Sequence, residues 1–204
     1  MVTLTWLGHS CFVLESGGFR ALIDPYKGVR GLEDIAMEAD AVYCSHGHFD
    51  HAYTDRVTLR QGRENPFTVE EIHTFHDDQE GALRGRNTVR RFTAEGVTVV
   101  HLGDLGHQLT EEQLKAAGAC DILLLPVGGT FTIDAKGAKQ AADAIGPRVI
   151  VPMHYRDGSR GLEMLTTLED FTKQYPAEMV RRYPGNVLEA EPEMPRQIAV
   201  LKVP

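Results

Sequence analysis

The sequence predicts a mixed α/β (α+β) fold in which two packed sheets carry helices on their outer faces, as one domain over residues 1–204. Three observations lead there. The first half of the chain is a succession of short β-like runs, the second half alternates strand and helix from residue 97, and no linker-like stretch separates the halves. A chain of 204 residues can bury a substantial core. Hydrophobic residues at 42% and charged residues at 25% are ordinary globular values, which argues against disorder and coiled coil.

In order, residues 2–7, 11–15 and 19–24 are β-like runs broken by Gly8-His9-Ser10 and Ser16-Gly17-Gly18, and the second pair reads as a hairpin. Asp24-Pro25 ends the third strand. A short helix is expected over 32–38, then a fourth strand over 41–45. Residues 67–76 and 88–94 read as strands bracketing a polar, glycine-containing loop. Residues 97–102 form a strand, and Thr110-x-x-Gln113 matches a capping box that opens a short helix. A buried strand over 122–127 precedes an alanine-rich helix that Asp134 can cap and that runs through Ile145. Residues 148–153 form another strand, Leu162, Leu165, Leu168 and Phe171 trace a helical stripe, and a strand over 197–203 closes the chain.

The formal charge of −8 argues against a dedicated nucleic-acid binder, because phosphate contacts need clustered Lys and Arg. It leaves an anionic small substrate open, since a bound metal supplies local positive charge. Cys11, Cys44 and Cys120 lack any Cys-x-x-Cys spacing and sit in or beside apolar runs, so buried free thiols in a reducing compartment are expected. There is no apolar run of membrane-spanning length and no basic-then-apolar leader pattern, so the expected address is the cytoplasm and no membrane partner is expected. Oligomeric state is not set by these features.

The chemistry concentrates in Ser45-His46-Gly47-His48-Phe49-Asp50-His51, three imidazoles and one carboxylate directly after the apolar run 41–44. If that strand continues extended, His46 and His48 project to one side and share an ion, while Asp50 and His51, at the start of a helix, aim at a second point. Neutral imidazole and carboxylate suit zinc and other borderline first-row metals. A third ligand should stand at a strand end, and His76 does; His73 would face the opposite side of its strand. Asp104 follows Gly103, whose small size lets backbone approach closely; a helix cap for the next segment is the lesser alternative for Asp104. His154 ends the apolar strand 149–153.

The pattern His46-x-His48-x-Asp50-His51 resembles the signature of the metallo-β-lactamase superfamily, whose members share a four-layer αββα sandwich with two metals at one edge. Five motifs of that family stand in its order between residues 24 and 154. The resemblance implies two divalent metal ions, zinc first and manganese or iron as alternatives. His46, His48 and His76 would hold one; Asp50, His51 and His154 would hold the other; Asp104 would bridge. Asp24 would orient a ligand histidine from behind, unless it merely caps the turn before proline. The implied chemistry is hydrolysis of an ester, lactone or phosphodiester of a small substrate by metal-activated hydroxide, with Asp104 or the nearby Asp50 moving the proton.

Within the superfamily, the motifs Gly8-His9-Ser10, Phe75-His76-Asp77, Leu102-Gly103-Asp104-Leu105-Gly106-His107 and Pro152-Met153-His154-Tyr155 are similar to those of small bacterial hydrolases related to the ascorbate-6-phosphate lactonase group. Five further residues are candidates for substrate contact: His9 in its tight turn, His107 at the cleft rim, Tyr155 after His154, and Arg84 and Arg86 in the loop. With Arg90 and Arg91, the loop 77–91 forms either a cationic flap over the site or ordinary solvated charge. A nuclease of the same fold and a metal-binding protein without catalysis are the competing readings.

Overall fold

The computed structural model describes residues 1–204. The first half runs β1 (Val2–Gly8), β2 (Cys11–Ser16), β3 (Phe19–Ile23), β4 (Met37–Ala39), β5 (Ala41–Tyr43), β6 (Val57–Leu59), β7 (Thr68–Phe75) and β8 (Arg86–Ala94). The second half runs β9 (Val97–His101), α1 (Glu111–Ala117), β10 (Ile122–Pro126), α2 (Ala135–Ile145), β11 (Val149–Met153), α3 (Glu169–Thr172), β12 (Val180–Arg182), β13 (Val187–Ala190) and β14 (Gln197–Val200).

The period-2 alternation of the strands builds the layers. Along β2, Phe12 and Leu14 enter a large apolar cluster shared with the second sheet, while Cys11 and Val13 face a small outer cluster with Leu22, Tyr26 and Ile35. The first sheet has the order β13-β1-β2-β3-β5 and the second β12-β14-β11-β10-β9-β8-β7. β9, β10 and β11 are parallel and fully buried, which is why they read as unbroken apolar runs. Each large side chain sealed there contributes about 1.5–3 kcal/mol.

Strand direction decides where chemistry can sit. β1 and β3 are both antiparallel to β2, and β5 is parallel to β3. In the other sheet β7 and β9 are both antiparallel to β8, and β11 shares the direction of β9 through β10. The C-terminal ends of β3, β5, β7, β9 and β11 deliver Asp24, the His46 loop, His76, Asp104 and His154. The β1–β2 turn adds His9 to the same edge.

The helices α1 and α2 form where their caps predict. Thr110 makes the reciprocal capping box with Gln113, and Asp134 accepts from the Gly137 N–H. Both pack on the second sheet. The expected helix over 32–38 does not form; turns and the β4–β6 pair cover the outer face of the first sheet instead, around Tyr26 and Ile35. The stripe from Leu162 to Phe171 winds into helix only over Glu169–Thr172, because Leu165 and Leu168 reach the core from turns. β4, β6, β12 and β13 are short strands with no clear sequence signal. No helix is long and apolar enough to cross a membrane.

Candidate metal centre

The histidine-rich loop is shaped by where strand pairing stops. β5 ends at Tyr43, whose carbonyl accepts from the Asp24 N–H, and Ser45 to His51 then fold into one tight turn in which the His51 and Ala52 N–H groups both donate to the His48 carbonyl. Neither the strand extension nor the helix start expected there is present; the turn alone gathers the ligands. The His46 ring lies 4.6 Å from that of His48 and 4.3 Å from that of His51. His76, just past β7, stands 4.7 Å from His46 and 5.2 Å from His48, ring to ring. His73 is exposed on the other face.

Asp104 reaches both groups. Its Oδ2 is 3.3 Å from His76 Nε2 and 3.2 Å from His154 Nε2, and its Oδ1 is 3.2 Å from His51 Nε2. Three sets of side chains bring one ligand atom each within 4.8 Å of one another: His46, His48 and His76; beside them His9, Asp50, His51 and His154; and, joining the two, His46, His51 and Asp104. His46 Nε2, His51 Nε2, His76 Nδ1, His154 Nε2 and Asp104 Oδ1 are buried with no hydrogen-bond partner. An unsatisfied buried polar atom costs about 1–3 kcal/mol. Cations at these two points would satisfy the convergent lone pairs, so the residues fit a pair of divalent ions.

The groups behind the ligands are specific. Asp24, fully buried, accepts through Oδ2 from the Ser45 hydroxyl at 2.6 Å, contacts His51 Nδ1 at 2.7 Å, and accepts through Oδ1 from the Ser45 N–H at 2.6 Å. That contact fixes the His51 ring with Nε2 aimed at Asp104. Ser45 Oγ also lies 3.0 Å from His46 Nδ1. His9 Nε2 is 3.3 Å from Asp50 Oδ2, and its ring is 4.3 Å from His154. Of the six non-glycine residues with positive φ, His9, Asp24 and His154 lie at this centre, an arrangement that concentrates backbone strain at the site.

Burial and neighbouring charge set the protonation states. Burial drives His9 to about 4 and His46 to about 3, with the nearby His154 and His51 acting in the same direction, so both rings are neutral at physiological pH. Burial alone would also lower His51, but the charges of Asp104 and Asp24 outweigh it and hold His51 well above its usual value. Burial would raise Asp50 and Asp104; the surrounding histidines reverse this and keep both carboxyls below the usual range.

Other candidates lie elsewhere. His107 is tied to backbone, its Nε2 accepting from the Phe75 N–H at 3.1 Å and its Nδ1 2.8 Å from the Gln108 carbonyl. Tyr155 turns into the core, 8% exposed, with its ring 5.7 Å from Trp6. Arg86, Arg90 and Arg91 belong to β8; Arg90 and Arg91 pair with Glu71 and Glu70 across the sheet, and Arg86 is exposed at the strand start. Only Arg84 lines the cavity at the metal centre, together with His48, Asp50, His76 and Asp104. The loop carrying Arg84 is braced from within, because the Asp77 carboxylate accepts the N–H groups of Gln79, Gly81, Leu83 and Arg84.

Two supporting residues have no sequence signal of their own. Asn87, buried in β8, accepts from the Asp104 N–H at 2.9 Å and donates to the Leu102 carbonyl at 2.9 Å, which holds the turn carrying Asp104. Ser45 joins Asp24 to the His46 loop. The turn after β9 requires Gly103, with φ of 56° and a would-be Cβ colliding with Asn87 and Ser45.

Comparison with known proteins agrees with this architecture. Residues 3–154 match the family model of the beta-lactamase superfamily domain. The UPF0173 protein of Pyrococcus abyssi is 33% identical, the match covering 74% of this chain and 82% of the relative. The UPF0173 metal-dependent hydrolase of Alkaliphilus metalliredigens is 30% identical over 74% of this chain and 84% of its own length. A crystal structure from Thermotoga maritima, described as that of a candidate Zn-dependent hydrolase of the metallo-beta-lactamase superfamily, superposes with a TM-score of 0.79 at 35% identity and covers both chains completely.

Proposed function

The chain belongs to the metallo-β-lactamase superfamily as a metal-dependent hydrolase, and from that premise we propose that it works with two divalent ions on an ester, lactone or phosphodiester of a small, anionic substrate. The observation that carries this reading is the convergence of seven side chains, five of which (His46, His51, His76, His154 and Asp104) aim a buried ligand atom with no hydrogen-bond partner into the site. His46, His48 and His76 would hold one ion and Asp50, His51 and His154 the other, with Asp104 between them. Zinc is the first choice on ligand chemistry, with manganese and iron compatible.

Ions bound there supply Lewis acidity and bring the pKa of a water down from 15.7 toward 7. The chain's own part is orientation and proton handling. Asp24 locks the His51 ring, and Ser45 couples that lock to His46. Asp50 and Asp104 are the carboxylates that line the cavity, and to them we assign the proton transfer at the reacting centre. The free thiols Cys11, Cys44 and Cys120 support a cytoplasmic address.

Chelated protein assayed on a panel of esters, lactones and phosphodiesters, then reloaded with zinc or manganese, tests the reading. Hydrolysis lost on chelation and restored by metal is expected. RNA cleavage in place of small-ester turnover would move the reading to the nuclease branch, and metal binding without any turnover would remove catalysis.

A further inference from the structure

The cavity at the metal centre holds about 620 Å³, within the range of sites for whole small molecules and larger than a scissile group alone requires. Besides the metal ligands it is lined by four apolar side chains, Phe49 from the ligand turn and Phe131, Leu162 and Met164 from elsewhere in the chain. Phe49 and Met164 are 53% and 66% exposed. A lone exposed apolar residue carries little information, but here two of the large ones face the same opening beside two further apolar side chains.

Arg84 supplies the one cation in that lining. Its N–H donates to Asp77 at 2.7 Å within the four-fold cradle that fixes the loop, so the side chain starts from a rigid base. The guanidinium lies over the Phe131 ring, 5.8 Å from its centroid, and its contact with the protein is a 3.4 Å hydrogen bond to the Thr130 carbonyl. No carboxylate pairs with it, and its remaining N–H donors are open to an anion. Glu163, in the same lining, has its charge opposed by Arg30 at 3.4 Å.

We propose that the substrate is an amphiphile: an acyl or aryl group seated on Phe49, Phe131, Leu162 and Met164, an anionic group bound by Arg84, and the labile bond turned toward the metals. The last element rests on the hydrolase reading above; the binding elements do not. Polar sugar-like molecules leave these apolar side chains without a partner, whereas each buried methylene gains about threefold to fourfold in affinity.

Linear alkyl sulfonates of two to eight carbons, which are poor metal ligands, test this by calorimetric titration of the zinc-loaded protein. Affinity is expected to rise about threefold per added methylene. Arg84→Ala should weaken every member about tenfold with the chain-length dependence kept, and Arg84→Lys should recover part of the loss. Phe131→Ala with Met164→Ala should flatten the dependence, and circular dichroism checks that the variant is folded. Affinity independent of chain length, or a dependence unchanged in the double variant, overturns the apolar subsite; equal affinities for wild type and Arg84→Ala overturn the anion subsite. Chain-length-dependent binding with no turnover of acyl or aryl esters would remove the hydrolase reading while leaving the amphiphile site standing.

Discussion

His9, Asp50, His51 and His154 are all buried, none more than 6% exposed, whereas His46, His48 and His76 grade from half-buried through exposed to buried. The sealed group includes a carboxylate and is fixed from behind by Asp24. The open group is all imidazole, and its exposed member, His48, lines the cavity. The first group is thus held by contacts within the protein and meets the cavity only through Asp50, whereas the second opens to it through His48 and His76. If two ions bind as we propose, the first position is expected to be the more rigid and the second the more exchangeable.

Substitutions can break that comparison, and the greatest loss is expected where both halves meet. Asp104→Asn removes the carboxylate common to both and should lower kcat on the order of 10³-fold, several kcal/mol of Lewis-acid stabilisation, with elemental analysis showing both metals depleted. His48→Ala should remove one metal per chain and leave the sealed position filled; equal depletion of both would erase the distinction between them. Asp24→Ala should weaken the sealed position by about 10–100-fold, the usual cost of losing a carboxylate behind a ligand histidine, with a smaller loss at the open one, which Asp24 reaches only through Ser45. Competition with a chromophoric chelator reads the two affinities separately.

The smallest effect is a pH dependence of the metal-free protein. His9 and His46 have folded pKa values of about 4 and about 3, below the unfolded value of 6.5. Between pH 6.5 and about 4 the unfolded chain therefore binds more protons, and stability falls as pH falls. His51, raised above 6.5, has the opposite sign and favours the folded state at low pH. Melting temperature should drop across this window, and His9→Gln should make the drop shallower; an identical slope would show that His9 is not held neutral.

Much of this centre was legible because its ligands sit at strand ends, where local pattern and position coincide. Asp24, Asp104 and His154 each follow a largely apolar strand and His76 ends a more polar β-like run, and chain order alone lines them up along one edge. What escaped depends on contacts across the sheets. Asn87 is one polar residue in a strand whose role exists only because β8 lies beside β9. Of the two readings of the loop arginines, the flap does not hold for Arg90 and Arg91 for a related reason: they find Glu71 and Glu70 through antiparallel register, which the sequence does not display. Tyr155, next to His154, and His107, three residues after Asp104, turn away from the cavity because nearness to a ligand in sequence does not set which way a side chain points. The short helix over 32–38 failed because its apolar residues are drawn one by one onto the outer face of the first sheet.

The most direct measurement is anomalous diffraction from crystals of the zinc-loaded protein, paired with elemental analysis of the same preparation. Two ions per chain are expected, one among His46, His48 and His76 and one among Asp50, His51 and His154, with Asp104 touching both. A single ion, ions bound elsewhere, or ester turnover that survives removal of all metal would contradict a two-ion hydrolytic centre.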